Sequence, residues 1–181
     1  MLHTQQRIAG FIDGLSERTG QVIAWLTLGT VLLTFTVVVM RYGFDAGSIA
    51  MQEAVSYLHA AVFMLGAAYT LKHNAHVRVD IVYRRLSARG QAMVNLLGTL
   101  LLLLPVCIYI LASSREYVAV SWSLREGSQE AGGLDAVFLL KTAIPVMAVL
   151  LMLQGVAIAI HSLLQLLGIE GVDGEQPDRE L

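Results

Sequence analysis

The sequence predicts an all-α integral membrane protein: four antiparallel transmembrane helices with both termini cytoplasmic, preceded by a short helix at the membrane interface. Three observations predict it. Of 181 residues, 56% are hydrophobic and 14% charged, whereas a water-soluble domain carries about a quarter of its residues charged. Four stretches, residues 22–40, 49–71, 92–112 and 136–164, are long and apolar enough to cross a hydrocarbon core of about 30 Å at about 1.5 Å per residue. The basic residues gather in one connection, which orients the bundle. The whole chain reads as a single membrane domain.

Composition also excludes several functions. A net charge of −2 supplies no cationic surface for nucleic acid, and no basic stretch is interleaved with aromatics. The one cysteine, Cys107, rules out an internal disulfide and a thiolate metal site; in an apolar run it reads as a small buried or lipid-facing side chain.

Residues 1–19 are too polar for a signal-peptide core. Ile8, Phe11, Ile12 and Leu15 recur with helical spacing, while Arg7, Asp13, Glu17 and Arg18 take the other side, the pattern of a helix lying in the interface. No charge interrupts residues 22–40, the first span. Arg41 and Tyr42 follow it directly instead of a small-residue cleavage site, so it is read as retained. The short link through Gly43 and Gly47 then returns the chain antiparallel.

The second span opens with Gln52, Glu53, Ser56 and His59, and carries Gly66, Ala67 and Ala68 further along. A helix start favours a carboxylate, and small residues let helices approach closely. Glu53 at a span's edge raises the reading of a proton or ion site; without a second intramembrane carboxylate beside it, a packing or topology role fits better. Lys72, Arg78, Arg84, Arg85 and Arg89 fill the next connection, which the positive-inside rule places in the cytoplasm. Within it Val77, Val79 and Ile81 alternate with Arg78 and Asp80, suggesting a brief extended stretch or a helix start capped by Asp80. His73 and His76, with only Asp80 nearby, make a poor ligand set, and hydrogen-bonding roles are expected.

The third span contains Pro105, a kink site, and its helix is expected to run on to Trp122, carrying Tyr117 and Trp122 to the outer interface. Residues 123–135, with Glu126, Ser128, Gln129, Glu130, Gly132 and Gly133, form a polar outer loop, the kind of segment on which partners dock. In the fourth span Lys141 can snorkel to the interface, Pro145 lies one turn inside, and Gln154 must find a hydrogen-bond partner within the protein. Residues 170–181 form an acidic tail.

With termini inside, Arg7, Arg18, Lys72, Arg78, Arg84, Arg85, Arg89 and Arg179 are cytoplasmic, against Arg41, Arg115, Arg125 and Lys141 outside, which supports that orientation. There is no phosphate-binding glycine loop, nucleophile elbow or metalloprotease pair, so no enzyme is expected.

Arg41-Tyr42, Gln52-Glu53, Gly66-Ala67-Ala68 and above all His76-Val77-Arg78-Val79-Asp80 resemble the small membrane subunit (DctQ-like) of tripartite ATP-independent periplasmic (TRAP) transporters. The resemblance continues through Ser121-Trp122, Glu126 with Ser128, Gly132-Gly133-Leu134, Leu140-Lys141, Ile144-Pro145 and Leu153-Gln154-Gly155. The commoner family form opens the second span with tryptophan and two glutamates; here Ala50 and Gln52 stand where the tryptophan and the first glutamate fall.

The resemblance implies a bacterial or archaeal cytoplasmic membrane and a system of three parts. A periplasmic solute-binding protein captures an organic acid or related solute, a large many-helix membrane subunit imports it with sodium ions, and the small subunit braces the large one. Substrate and sodium sites would lie in the large subunit, with no cofactor in this chain. Arg41, Tyr42, Gln52, Glu53, His76, Arg78, Asp80, Trp122, Glu126, Ser128, Lys141 and Gln154 are then expected in structural or subunit-interface roles, and the outer segments 43–48 and 123–135 in docking the binding protein. Two other readings are a haem-binding membrane anchor of a respiratory enzyme, using His59 and His161, and a self-sufficient small exporter.

Overall fold

A computed structural model describes residues 2–76 and 83–169. The described residues are helical with no strand. They form α1 (Leu2–Gly43), α2 (Ile49–Lys72), α3 (Ala88–Leu124) and α4 (Val137–Leu166), each long and apolar enough to cross a membrane. The protein is a multi-pass membrane protein.

The N-terminal segment is helical, as its periodicity predicts, but it is not a separate interfacial helix. Residues 2–19 are the first turns of α1, which runs for 42 residues without a break, about 63 Å at 1.5 Å per residue. Of the apolar set Ile8, Phe11, Ile12 and Leu15, only Ile12 turns into the bundle. Ala9, Ile12 and Ser16 are buried, while Phe11 is 76% exposed and Ile8 and Leu15 also face outward. Small side chains and a hydroxyl allow close helix contact where bulky ones do not, so the face that packs is the small, polar one.

α4 is the hub. α1, α2 and α4 pack on one another, and α3 packs on α4 outside that triangle. α1 and α4 meet through Ala9, Ile12, Ala157 and Ile160. Because these residues lie early in α1 and late in α4, the first helix begins and the last helix ends at the same end of the molecule. α3 turns a stripe of small residues inward at seven-residue spacing, Cys107, Ser114 and Ser121; Cys107 is buried and unpaired, the expected small apolar filler.

The expected disturbance at Pro105 takes a specific form. Thr99–Leu103 is a π-helical turn within α3, closed by the Leu104 N–H donating to the Thr99 carbonyl. Proline cannot donate to the carbonyl four residues back, and its ring crowds that carbonyl; a π turn just before it accommodates both. The widened turn rests on Gly155 of α4, where an added Cβ would lie 2.9 Å from Leu103 Cδ2 and 3.3 Å from Thr99 Cγ2. Pro145 sits inside α4.

This contact predicts a contrast between two glycines. Gly155→Val should cost about 1–3 kcal/mol through overpacking. Gly29→Ala, where nothing lies within 4 Å of the added methyl, should change stability by less than about 0.5 kcal/mol. Unfolding of the purified protein in detergent measures both.

Candidate functional site: polar clasps at the two ends of the bundle

Two clusters of polar side chains tie the helices together, one toward each end of the molecule. At the end that the distribution of basic residues predicts to be the outer one, Ser48 caps α2, its hydroxyl accepting from the Met51 N–H at 3.3 Å. One turn later Glu53 holds the loop between α3 and α4. Its Oε1 accepts from the Ser128 hydroxyl and its Oε2 from the Leu134 N–H at 2.7 Å. The loop is itself folded: Ser128 N–H donates to the Leu134 carbonyl at 3.0 Å, Gly133 N–H to the Glu130 carbonyl at 3.0 Å, and Glu130 N–H to the Ser128 hydroxyl at 3.1 Å. Gly132 has φ +81°, a conformation that favours glycine. A Cβ on Gly133 would collide with Ser128 and come within 2.7 Å of Glu53 Oε2, so only glycine lets the loop close on the carboxylate.

Two further contacts fasten this loop to α4. Lys141 Nζ donates to Glu126 Oε2 at 2.5 Å and lies 4.0 Å over the Tyr117 ring. The lysine expected near the interface is thus paired with the loop. Its ammonium holds the Glu126 carboxyl below the usual carboxylate range. Trp122 Nε1 donates to Thr142 Oγ1 at 2.8 Å, and its ring meets Phe138 edge-on at 4.8 Å. α3 ends at Arg125, whose φ of 48° is left-handed, with the next N–H, that of Glu126, returned to the Ser121 carbonyl.

At the inner end Gln154, 1% exposed, has both sides of its amide engaged by α1. Ser16 Oγ donates to Oε1 at 2.6 Å, and Nε2 donates to Asp13 Oδ1 at 2.9 Å. Asp13 Oδ2 accepts from His161 Nε2–H at 2.9 Å. One turn on, Glu17 Oε2 accepts from Lys72 Nζ at 2.6 Å and lies 3.2 Å from His73 Nε2, whose ring leans on Tyr69. Asp13, Lys72, Gln154 and His161 line a polar cleft of about 370 Å³ together with Asn74, Asn95 and Ser162. Asp13, Ser16 and Thr142 were not among the predicted site residues. For the first two the sequence offered only the requirement that a buried Gln154 find a polar partner on a facing helix; the buried stripe of Ala9, Ile12, Ser16 and Ile23 along α1 emerges in the structure.

The remaining predicted residues divide. His76 Nε2–H donates to the Ala67 carbonyl at 3.2 Å. Arg41 and Gln52 line a small crevice of about 40 Å³ with Ser48, and Tyr42 is exposed. Arg78 and Asp80, and with them the expected Asp80 cap, lie outside the described residues; α3 starts from Ser87, whose hydroxyl accepts from the Gly90 N–H. His59 and His161 do not face each other. Lys72 shares the inner cleft with His161, and His59 lies about 20 Å up α2 from Lys72, too far for the two histidines to be axial ligands of one haem. Among the described residues no three His, Cys, Asp or Glu side chains group as metal ligands. The arrangement ties helices and a loop together, and both oxygens of Glu53 are already in use.

Residues 30–166 match the sequence family described as tripartite ATP-independent periplasmic transporters, DctQ component. A TRAP transporter small permease protein of Haemophilus influenzae is 32% identical over 80 residues, covering 44% of this chain and 48% of that protein. The C4-dicarboxylate TRAP transporter small permease protein DctQ of Vibrio cholerae is 30% identical over 93 residues, 49% of this chain and 39% of its own length. The chain thus aligns with less than half of each of these relatives. No solved structure matches it.

Two outcomes follow from the outer clasp. Glu53→Gln removes one of two carboxylate acceptors and presents an amide N–H₂ to a donor, so trypsin cleavage after the exposed Arg125 should quicken several-fold, as it should in Gly133→Ala; Ser56→Ala should leave it unchanged. Mass spectrometry of the products reads this. Because the folded Glu126 pKa is depressed, its contribution is present above the ordinary value near 4.5 and lost as pH falls through the lower folded one. Trp122 fluorescence in a Trp25→Phe background should therefore be flat between neutral pH and about 5 and change below about 4, with a smaller acid transition in Glu126→Gln.

Proposed function

The chain belongs to the DctQ component family of tripartite ATP-independent periplasmic transporters, and from that membership we propose that it is the small scaffold subunit of a binding-protein-dependent secondary transporter. It braces a large many-helix membrane subunit that imports an organic acid or related solute with sodium ions, and it carries out no catalysis. The observation that supports this reading best is the state of Glu53. Its two carboxylate oxygens accept from Ser128 and Leu134, so binding a sodium ion or carrying a proton would require the outer loop to let go. A residue so engaged is suited to holding shape.

The same reading assigns the outer loop a second role. The α1–α2 link leads into the start of α2, and the α3–α4 loop is bonded there to Glu53; together they would offer a surface to the periplasmic binding protein. The termini then lie in the cytoplasm with the basic connection between α2 and α3, in keeping with the positive-inside rule, in a bacterial or archaeal inner membrane.

Uptake and complex assembly, measured together in cells, test the proposal. Glu53→Ala should lower uptake in step with the amount of assembled complex and leave the sodium dependence of the remaining uptake unchanged. An intact complex with altered sodium coupling would overturn the scaffold reading in favour of an ion site in this chain.

A further inference from the structure

The inner end carries a second surface that the clasps do not use. α3 opens with Ala88; Leu86, just before the helix, and Arg89, Gly90, Met93 and Val94 of its first turns line one side, and Leu166, at the end of α4, closes that side into a groove of about 570 Å³. The volume is in the range of small-molecule sites. Met93 and Val94 are each about half exposed, and the spacing of 89, 90, 93 and 94 is that of a single helix face. The groove is thus an apolar trough with one guanidinium at its mouth, and no carboxylate is among the residues that line it.

Its position decides what could occupy it. Arg89 sits at the basic end of the membrane-spanning helices, in the connection that holds five of the chain's twelve Lys and Arg residues, with Arg84 and Arg85 close by in sequence. A groove open to the bilayer at that level is bathed in lipid. A cation at the headgroup depth attracts anionic lipid, and the trough below it offers a surface for an acyl chain. A zwitterionic lipid would bring an ammonium group to a site whose lining offers it no acidic partner.

We propose that the groove between the start of α3 and the end of α4 seats an anionic phospholipid, its phosphate on Arg89 and an acyl chain along Leu86, Met93, Val94 and Leu166. The lipid would cover the seam between the start of α3 and α4, the helix on which α3 mainly packs, and so favour the assembled bundle.

Full-length protein in detergent micelles, titrated with phosphatidylglycerol or phosphatidylcholine, tests this by native mass spectrometry and by thermal unfolding. Phosphatidylglycerol should bind and raise the unfolding temperature, and phosphatidylcholine should do so far less. Arg89→Gln should weaken phosphatidylglycerol binding about fivefold, the value of one arginine near an anionic surface, while Arg115→Gln in the outer half of α3 should leave it unchanged. Met93→Trp in a Trp25→Phe, Trp122→Phe background should be quenched by brominated phosphatidylglycerol, which places the acyl chain in the groove even if Arg89→Gln proves unstable. Equal binding of the two lipids, or an Arg89→Gln protein that keeps the full preference, would overturn the proposal. So would binding that appears only after residues 170–181 are removed, because the acidic tail would then be the groove's occupant.

Discussion

The amide of Gln154 governs the arrangement of the inner half of the molecule. A membrane helix can keep such a group only if protein supplies a donor and an acceptor, because hydrocarbon supplies neither. Here Ser16 donates to its oxygen and Asp13 accepts from its nitrogen. Both partners belong to the same face of α1, so satisfying one side chain requires the early turns of α1 to run straight alongside α4 instead of folding down onto the membrane surface. The length of α1, the burial of Ala9 and Ile12, and the gathering of both helix ends at one end of the molecule all follow from that requirement.

Between the two polar ends the helices are held by shape. In a membrane there is no hydrophobic gain from bringing apolar side chains together, and contact depends on how closely backbones approach. Ala148, Gly155 and Ala157 of α4 and the Cys107, Ser114, Ser121 stripe of α3 provide that approach. The π turn before Pro105 seats against Gly155, so the irregularity in one helix is matched by the smallest residue in its neighbour. The large side chains of α1 and α3, among them Trp25, Phe35, Leu101 and Tyr109, point away from these contacts, as suits helices that face lipid or another membrane subunit.

Four spans and the antiparallel connections were legible because apolar length and the distribution of basic residues are properties of single segments. The requirement that Gln154 find a partner was legible too, since burial of an amide follows from its place in an apolar run. Its partners were not. Asp13 reads as one of several charges on the polar side of an amphipathic helix, and nothing local reveals that this side turns toward α4. Likewise the π turn needs the packing of Leu103 on Gly155 to be specified, whereas the presence of Pro105 indicates only that the helix is disturbed. Glu53 was ambiguous between ion site and packing residue for the same reason: the groups that occupy its two oxygens, Ser128 and Leu134, come from a loop far along the chain.

The inner clasp also has a consequence for how the protein is made. Residues of α1 leave the ribosome before those of α4, and their partners lie 138 to 148 positions later in the chain. Until α4 has been synthesised and inserted, Asp13 and Ser16 have no partner from that helix, and the opening helix can only wait, held meanwhile by α2 through Glu17 and Lys72. A chain that stops short of its last helix therefore shows its defect at its beginning, as an exposed carboxylate and hydroxyl at the membrane surface. Arrival of the final helix completes the first one, so the finished state is signalled by the same contacts that hold it.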